Sequence, residues 1–281
     1  MSLLVLGGVA LDYLSRVKDA TAGCTQVTEY SENIGGMAYK TALTTSQLGI
    51  DTRLISSVGK DFPLLKNMQN LHFDLHIGEG MTTRSFLFYD GTEDRIYFYP
   101  GLYHAIDVNK AKDAILKSDW IHFAGVAPCF SELIELADQE GKIVSCNPGY
   151  DIFHYDTSDP LLTKLVEKSD YLILSSEEAK HLSKPVDSIV NGAVIITMGK
   201  NGSIVVDKEK RETIKAYTVD AESPFGAGDV YTGTFIVSML QENGLLKSAK
   251  LASAAASFAV EEKSTTPDLV WDEIKKRAKK L

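Results

Sequence analysis

Short apolar runs alternate with amphipathic stretches along nearly the whole chain, and most of the runs end in glycine or a polar residue. Leu3–Val9 reads as a strand with Gly7-Gly8 at its end, Arg53–Val58 as a strand closed by Gly59, and Trp120–Ala124 as a strand closed by Gly125. Ala38–Leu48 reads as a helix stopped by Gly49 and Ser131–Glu140 as a helix stopped by Gly141. Ile143–Cys146, Tyr171–Leu174 and Val194–Thr197 continue the series of strands. Strands of four to six apolar residues separated by helices leave one economical arrangement, a parallel sheet covered on both faces. Ligands in such sheets bind beyond the carboxyl ends of the strands, so the glycines and polar residues there carry the functional reading.

Two segments break the alternation. Residues 12–33 alternate polar and apolar around Gly23, and residues 83–99 read as two strands around Asp90-Gly91, a strong hairpin pair. These strands fit poorly into a parallel sheet and read as a small β-sheet lid, or else as an edge extension of the main sheet. The 281 residues suffice for one large α/β domain, taken as 1–281 with the lid strands inserted. A net charge of −9 argues against a nucleic-acid partner. Three distant cysteines, Cys24, Cys129 and Cys146, form no disulfide framework and fit a cytoplasmic location. The apolar start Leu3–Leu6 is too short for a membrane span.

The chemistry gathers at four places. Gly226-Ala227-Gly228-Asp229 opens an apolar helix, whose first N–H groups are unpaired and attract anions. An acid there makes sense as a base that takes a proton from a hydroxyl attacking a phosphoryl group; the bland alternative is an ordinary helix start. Thr197-Met198-Gly199-Lys200-Asn201-Gly202 follows a strand and suits either a polyphosphate or a hairpin turn. Gly35-Gly36, with Asp12 after the first strand, can form a polar pocket for hydroxyl groups, although Asp12 also suits a turn. Ser175-Ser176-Glu177-Glu178 offers an acid to the water shell of Mg²⁺, or a capping box. His72 and His76 have helical zinc spacing, but their context alternates like a strand.

In this order these features resemble the ribokinase-like, or PfkB, carbohydrate kinases: Gly35-Gly36, Gln47-Leu48-Gly49, Val58-Gly59-Lys60-Asp61, Ser175 to Ala179, Thr197 to Gly202, and the final Gly226–Asp229 loop. The resemblance implies an α/β, Rossmann-like three-layer core with a mainly parallel sheet and a lid. It implies ATP and Mg²⁺ as cofactors and a sugar or nucleoside hydroxyl as acceptor. By position Asp229 looks like the catalytic base, and Gly226, Ala227 and Gly228 like the anion hole. Asp12, Gly35 and Gly36 look like acceptor-site residues, and Glu178 like the magnesium-linked acid, acting through water. Thr197, Gly199, Gly202 and Ser175 look like nucleotide-site residues.

Four departures bear on the details. Ser223-Pro224 stands where the family usually has Asp-Thr, which puts a monovalent-cation site in doubt. Ser175 replaces the family's asparagine, and Asn147-Pro148-Gly149 stands near an Asp-Pro segment. Lys40 stands where asparagine often contacts sugar hydroxyls; its ammonium only donates, to a carboxylate, a phosphate or solvent, and tilts the reading toward a sugar, an anionic one included. The expected activity is therefore phosphorylation of a sugar. A nucleoside kinase, with Tyr13, Phe86, Phe88, Tyr97 and Tyr99 walling the base, or a non-catalytic regulator, are the alternatives. Lid strands exposed at an edge also allow a homodimer through the lid.

Overall fold

The computed structural model describes the chain apart from residues 64, 183–191, 209, 224 and 263–264. Its centre is β1 (Ser2–Gly7), with β4 (Asp51–Val58) parallel on one side and β8 (Trp120–Ala124) parallel on the other. Outside β4 lies β5 (Leu71–Ile77), and outside β8 lie β9 (Ile143–Asn147), β10 (Tyr171–Ser175) and β11 (Ala193–Thr197), all parallel. Two antiparallel strands, β12 (Ser203–Asp207) and β13 (Lys210–Ile214), finish that side. Strand order reverses at β1, so the crevice beyond Gly7 is the switch point where such sheets bind ligands.

Successive residues of β1 point to opposite faces, as a strand requires. Leu4 and Leu6 join one core cluster with Ile121 and Phe123 under α2 (Val108–Lys117), α3 (Phe130–Gln139) and α4 (Pro160–Glu167). Leu3 and Val5 join the other with Trp120 under α1 (Met37–Gln47) and α6 (Ala227–Leu240). α5 (Ser176–His181) follows β10 directly, while α7 (Leu245–Glu261) and α8 (Trp271–Ala278) complete the α6 layer. The two-sided cover is why the strands read as continuous apolar runs. α6 is buried almost all round, and Gly233 lets it approach α1, since a Cβ there would fall 2.7 Å from the Thr44 side chain.

The lid is a separate four-stranded sheet in the order β3 (Val27–Gly35), β2 (Ala10–Val17), β6 (Thr83–Tyr89), β7 (Asp94–Tyr99). The chain enters it between β1 and α1 and again between β5 and α2. At its hairpin tip Gly91 has φ 104, and Asp90 Oδ1 accepts from the N–H groups of Thr92 and Glu93 at 2.9 Å each. The edge-extension alternative is thus set aside. His72 and His76 lie on strand β5 rather than on a helix, with His72 Nε2 2.9 Å from Asp51, which disposes of the zinc spacing.

Candidate active site

The N-terminus of α6 starts from Gly226, whose φ of 87 and whose distance of 2.4 Å from an ideal Cβ to the Thr265 carbonyl both demand glycine. The first helical bond runs from Val230 N–H to the Gly226 carbonyl at 3.0 Å. The N–H groups of Ala227, Gly228 and Asp229 therefore have no partner within the helix. Among the described residues nothing lies within 4 Å of a Cβ added at Gly228. An anion approaching here meets donors and the positive end of a 14-residue helix.

Asp229 sits in this first turn, half-buried. Burial pushes its carboxyl up to about 7, the Asp12 and Glu178 carboxylates add to the rise, and the Lys40 ammonium opposes it. Four side chains distant in sequence thus act on one another at the carboxyl edge of the sheet: Asp12 from β2, Lys40 from α1, Glu178 from α5 and Asp229 from α6.

Lys40 departs from the expectation. Its Nζ lies 2.8 Å from Asp12 Oδ2, and both side chains are buried. Burial pulls the ammonium down, but the Asp12 and Asp229 carboxylates outweigh it, and the net effect is upward. The charge taken to signal an anionic sugar is matched inside the protein. Gly35 packs against the same carboxylate, since a Cβ there would fall 2.0 Å from Asp12 Cγ. Gly36, with φ 90, lies against the Gly8 carbonyl beyond β1. The two glycines therefore bring the α1 entry within contact of both the acid and the switch point.

Ser175 and Glu178 form a full capping box. Glu178 Oε2 accepts from Ser175 N–H at 2.8 Å and Ser175 Oγ from Glu178 N–H at 3.2 Å. Ser175 Oγ thus caps the helix as an acceptor and keeps its O–H proton to donate. Glu178 is buried, and burial raises its carboxyl. Mg²⁺ takes few carboxylates and keeps much of its water. A buried acid with one oxygen fixed, near enough to Asp229 to raise its carboxyl, fits that outer role for a nucleotide-bound ion.

The Thr197–Gly202 segment is a hairpin turn between β11 and antiparallel β12. Thr197 Oγ1 donates to the Leu174 carbonyl at 3.2 Å, and a Cβ on Gly202 would fall 1.9 Å from the Ile214 carbonyl. Gly202 is thus explained by packing, while at Gly199, with φ 54, no described residue lies within 4 Å of an added Cβ. Ser223 is buried and its Oγ accepts from Phe225 N–H at 3.3 Å; Pro224 lies outside the described residues.

The lid aromatics are also relocated. Asp12 pairs with Ser85, and Ser85 with Phe98, so these share one lid face with Leu14 and Leu87. Tyr13, Phe86, Phe88, Tyr97 and Tyr99 alternate to the opposite face, where Tyr13 stacks on Phe86 at 5.1 Å and Phe88 meets Tyr97 at 5.9 Å. They lie on the lid face away from Asp12. Arg16 reaches Glu222 at 3.3 Å and Tyr89 meets Phe225 at 6.5 Å, so the lid touches the segment that leads into Gly226. Sequence reasoning missed Tyr103 and Asp151, both close to this crevice. The only hint was a carboxylate four residues after Asn147, in a segment where an acid was judged lost.

Comparison with known proteins identifies the family. Residues 1–272 match the model of the pfkB family carbohydrate kinases. The chain is 30% identical to a nucleoside kinase of Methanothermobacter thermautotrophicus over 95% of its own length and 92% of the relative's. It is 28% identical to a nucleoside kinase of Methanocaldococcus jannaschii over 98% and 96% of the two lengths. The structure of Burkholderia thailandensis nucleoside kinase in complex with inosine superposes with a TM-score of 0.81 at 20% identity, covering 99% of this chain and 97% of that one. With a family match that spans nearly its whole length, the chain belongs to the pfkB family carbohydrate kinases, enzymes that transfer a phosphoryl group to an alcohol of a sugar or nucleoside.

Proposed function

We propose that this protein is an ATP-dependent nucleoside kinase that phosphorylates a sugar hydroxyl of its acceptor with Asp229 as general base. The observation that carries the reading is the convergence of Asp12, Lys40, Glu178 and Asp229 on the N-terminus of α6. Bound ATP with Mg²⁺ supplies the phosphoryl group and neutralises its charge. Asp229 accepts the proton of the attacking hydroxyl, and a carboxyl near 7 is about half ionised at neutral pH, which suits a base. The N–H groups of Ala227, Gly228 and Asp229 stabilise negative charge at the transferring group. Asp12 accepts acceptor hydroxyls with its remaining lone pairs, while Lys40 holds it in place. Glu178 orients water of the metal, and Gly199 leaves room for the nucleotide. The lid, seated by Arg16 and Tyr89, excludes water and limits idle hydrolysis.

Nucleoside is favoured over sugar for three reasons. The Lys40 charge is neutralised by Asp12, which removes the case for an anionic sugar. Leu14, Leu87 and Phe98 give the Asp12 face of the lid an apolar wall of the kind a base needs. The relatives at 28% and 30% identity are nucleoside kinases. The three cysteines are unpaired, which supports a reducing cytoplasm, and among the described residues no helix is long and apolar enough to cross a membrane. The exposed outer lid aromatics support self-association through the lid, which light scattering of the purified protein tests. ADP formation with ATP and Mg²⁺ over a panel of nucleosides and sugars tests the activity. Nucleosides should show the highest kcat/KM. No ADP with any acceptor would overturn the kinase reading in favour of a non-catalytic regulator, and a sugar ranked first would overturn the substrate class.

A further inference from the structure

Tyr103 belongs to none of the motifs, yet it is wedged into the switch-point crevice. It follows the last lid strand by four residues and is 7% exposed. Its ring lies where two neighbouring central strands end. An ideal Cβ on Gly8, beyond β1, would fall 1.9 Å from Tyr103 Cε2. One on Gly125, beyond β8, would fall 2.5 Å from the hydroxyl, and Gly125 also has φ 100. Both strands thus give up a side chain to one ring.

The other side of Gly8 is the acceptor site. The Gly8 carbonyl lies 2.4 Å from an ideal Cβ on Gly36, so the ring, Gly8 and the Gly35-Gly36 entry are successive layers. Above, Phe98 meets the Tyr103 ring edge-on, with centroids 5.3 Å apart and planes at 88°. Phe98 lies on the lid face that carries Asp12. Below, the hydroxyl is hydrogen-bonded to Asp151, whose Oδ2 also accepts from Val126 N–H at 2.9 Å. Burial and the Asp151 carboxylate raise the phenol well above its ordinary value, so the hydroxyl stays protonated and donates. The backbone is pinned as well, with Tyr103 N–H to the Pro100 carbonyl at 2.9 Å and Leu102 N–H to the Met81 carbonyl at 3.1 Å. A ring held at its hydroxyl, its backbone and its face has little freedom to move aside for a ligand.

We propose that Tyr103 is a specificity-determining residue, whose fixed ring closes the acceptor pocket at the ends of β1 and β8 and, through Phe98, limits how far the lid descends. Resting on the kinase reading above, this limits the bulk of the non-reacting part of the acceptor on that wall, and so favours small ring substituents over large ones. The Asp151 carboxylate is a positioning group, since it holds the ring and lies behind it.

The test compares wild type with Tyr103→Ala, Tyr103→Phe and Phe98→Ala on the best acceptor and on analogues with progressively larger ring substituents. Tyr103→Ala should raise the kcat/KM ratio of bulky to parent acceptor by roughly tenfold or more, chiefly through KM, the order seen when a pocket wall changes by a few carbon atoms. Tyr103→Phe keeps the ring and should keep the wild-type ranking of acceptors. Phe98→Ala, at a partly exposed lid position, should relax the same limit and stands in if Tyr103→Ala does not fold. An unchanged ranking in the folded alanine variants, with only a lower Tm, would mean that the ring is packing alone and would overturn the proposal. If wild type forms no ADP with any acceptor, the kinase reading fails. The acceptor-induced rise in Tm of wild type and variants then ranks the same ligands without turnover, and an unchanged ranking there overturns the proposal too.

Discussion

Replacing Asp229 by asparagine should slow the enzyme and stabilise the protein at once. The two effects share a cause. In the folded state burial and the acids Asp12 and Glu178 raise the Asp229 carboxyl from 3.8 to about 7. At about 1.4 kcal/mol per pKa step, holding that group ionised costs the native state about 4 kcal/mol. Partial exposure screens the cost, and we expect about half of it to appear, ~2 kcal/mol. Asparagine keeps the shape and never ionises. For a chain of this size that corresponds to a rise in Tm of roughly 5 °C at pH 8. The sign fixes the pH window. Because the folded pKa is raised, the wild type has its full stability below the unfolded value and loses it as pH rises through about 7. The Tm gap between variant and wild type should therefore vanish near pH 4, open between pH 4 and 7, and level off above. Turnover should fall by about 10² to 10⁴ with ATP binding retained, the usual worth of a general base. The wild-type rate should climb with pH to a plateau above about 7. Differential scanning fluorimetry across pH and steady-state kinetics on a confirmed acceptor measure both. Near-normal turnover in the variant would refute the base. A pH-independent Tm gap would refute the electrostatic account.

Three further substitutions probe the surroundings. Gly35→Ala puts a Cβ 2.0 Å from Asp12 Cγ, so KM for the acceptor should rise roughly tenfold or more while KM for ATP holds; equal changes in both, in two-substrate kinetics, would count against Asp12 as an acceptor ligand. Lys40→Met breaks a buried pair at 2.8 Å and should cost about 3–5 kcal/mol, read as the urea midpoint; a midpoint equal to wild type would mean that Asp12 needs no counter-charge. Ser175→Ala removes the cap of α5 and should cost about 1 kcal/mol, and a change in KM for ATP far larger than that loss would show that Ser175 touches the nucleotide after all.

Much of the architecture was legible because burial on two sides leaves a simple trace. β8 was read with its observed ends, and β9, β10 and β11 were each off by a single residue. The hairpin at Asp90-Gly91 was legible because its turn requires φ above zero. At the site, the helix start before Asp229 and the glycine pair before α1 were legible as local structure, since a φ of 87 at Gly226 and of 90 at Gly36 favours glycine. The partner of Lys40 and the face of the lid aromatics were not legible, for a common reason. Whether an ammonium faces a ligand or a carboxylate, and which face of a strand carries Tyr13 or Phe98, depends on pairing register and on contacts between segments far apart in the chain.

The sequence by itself determined the layered α/β sheet, the lid hairpin and the glycine-opened helix start that carries Asp229, because these rest on local periodicity and on φ values that glycine alone supplies freely. Only the tertiary structure decided that Lys40 neutralises Asp12 and that Tyr103 fills the ends of β1 and β8. Each of these is a contact between charges or surfaces brought together by folding, and in a low-dielectric interior such contacts set the properties of every group nearby.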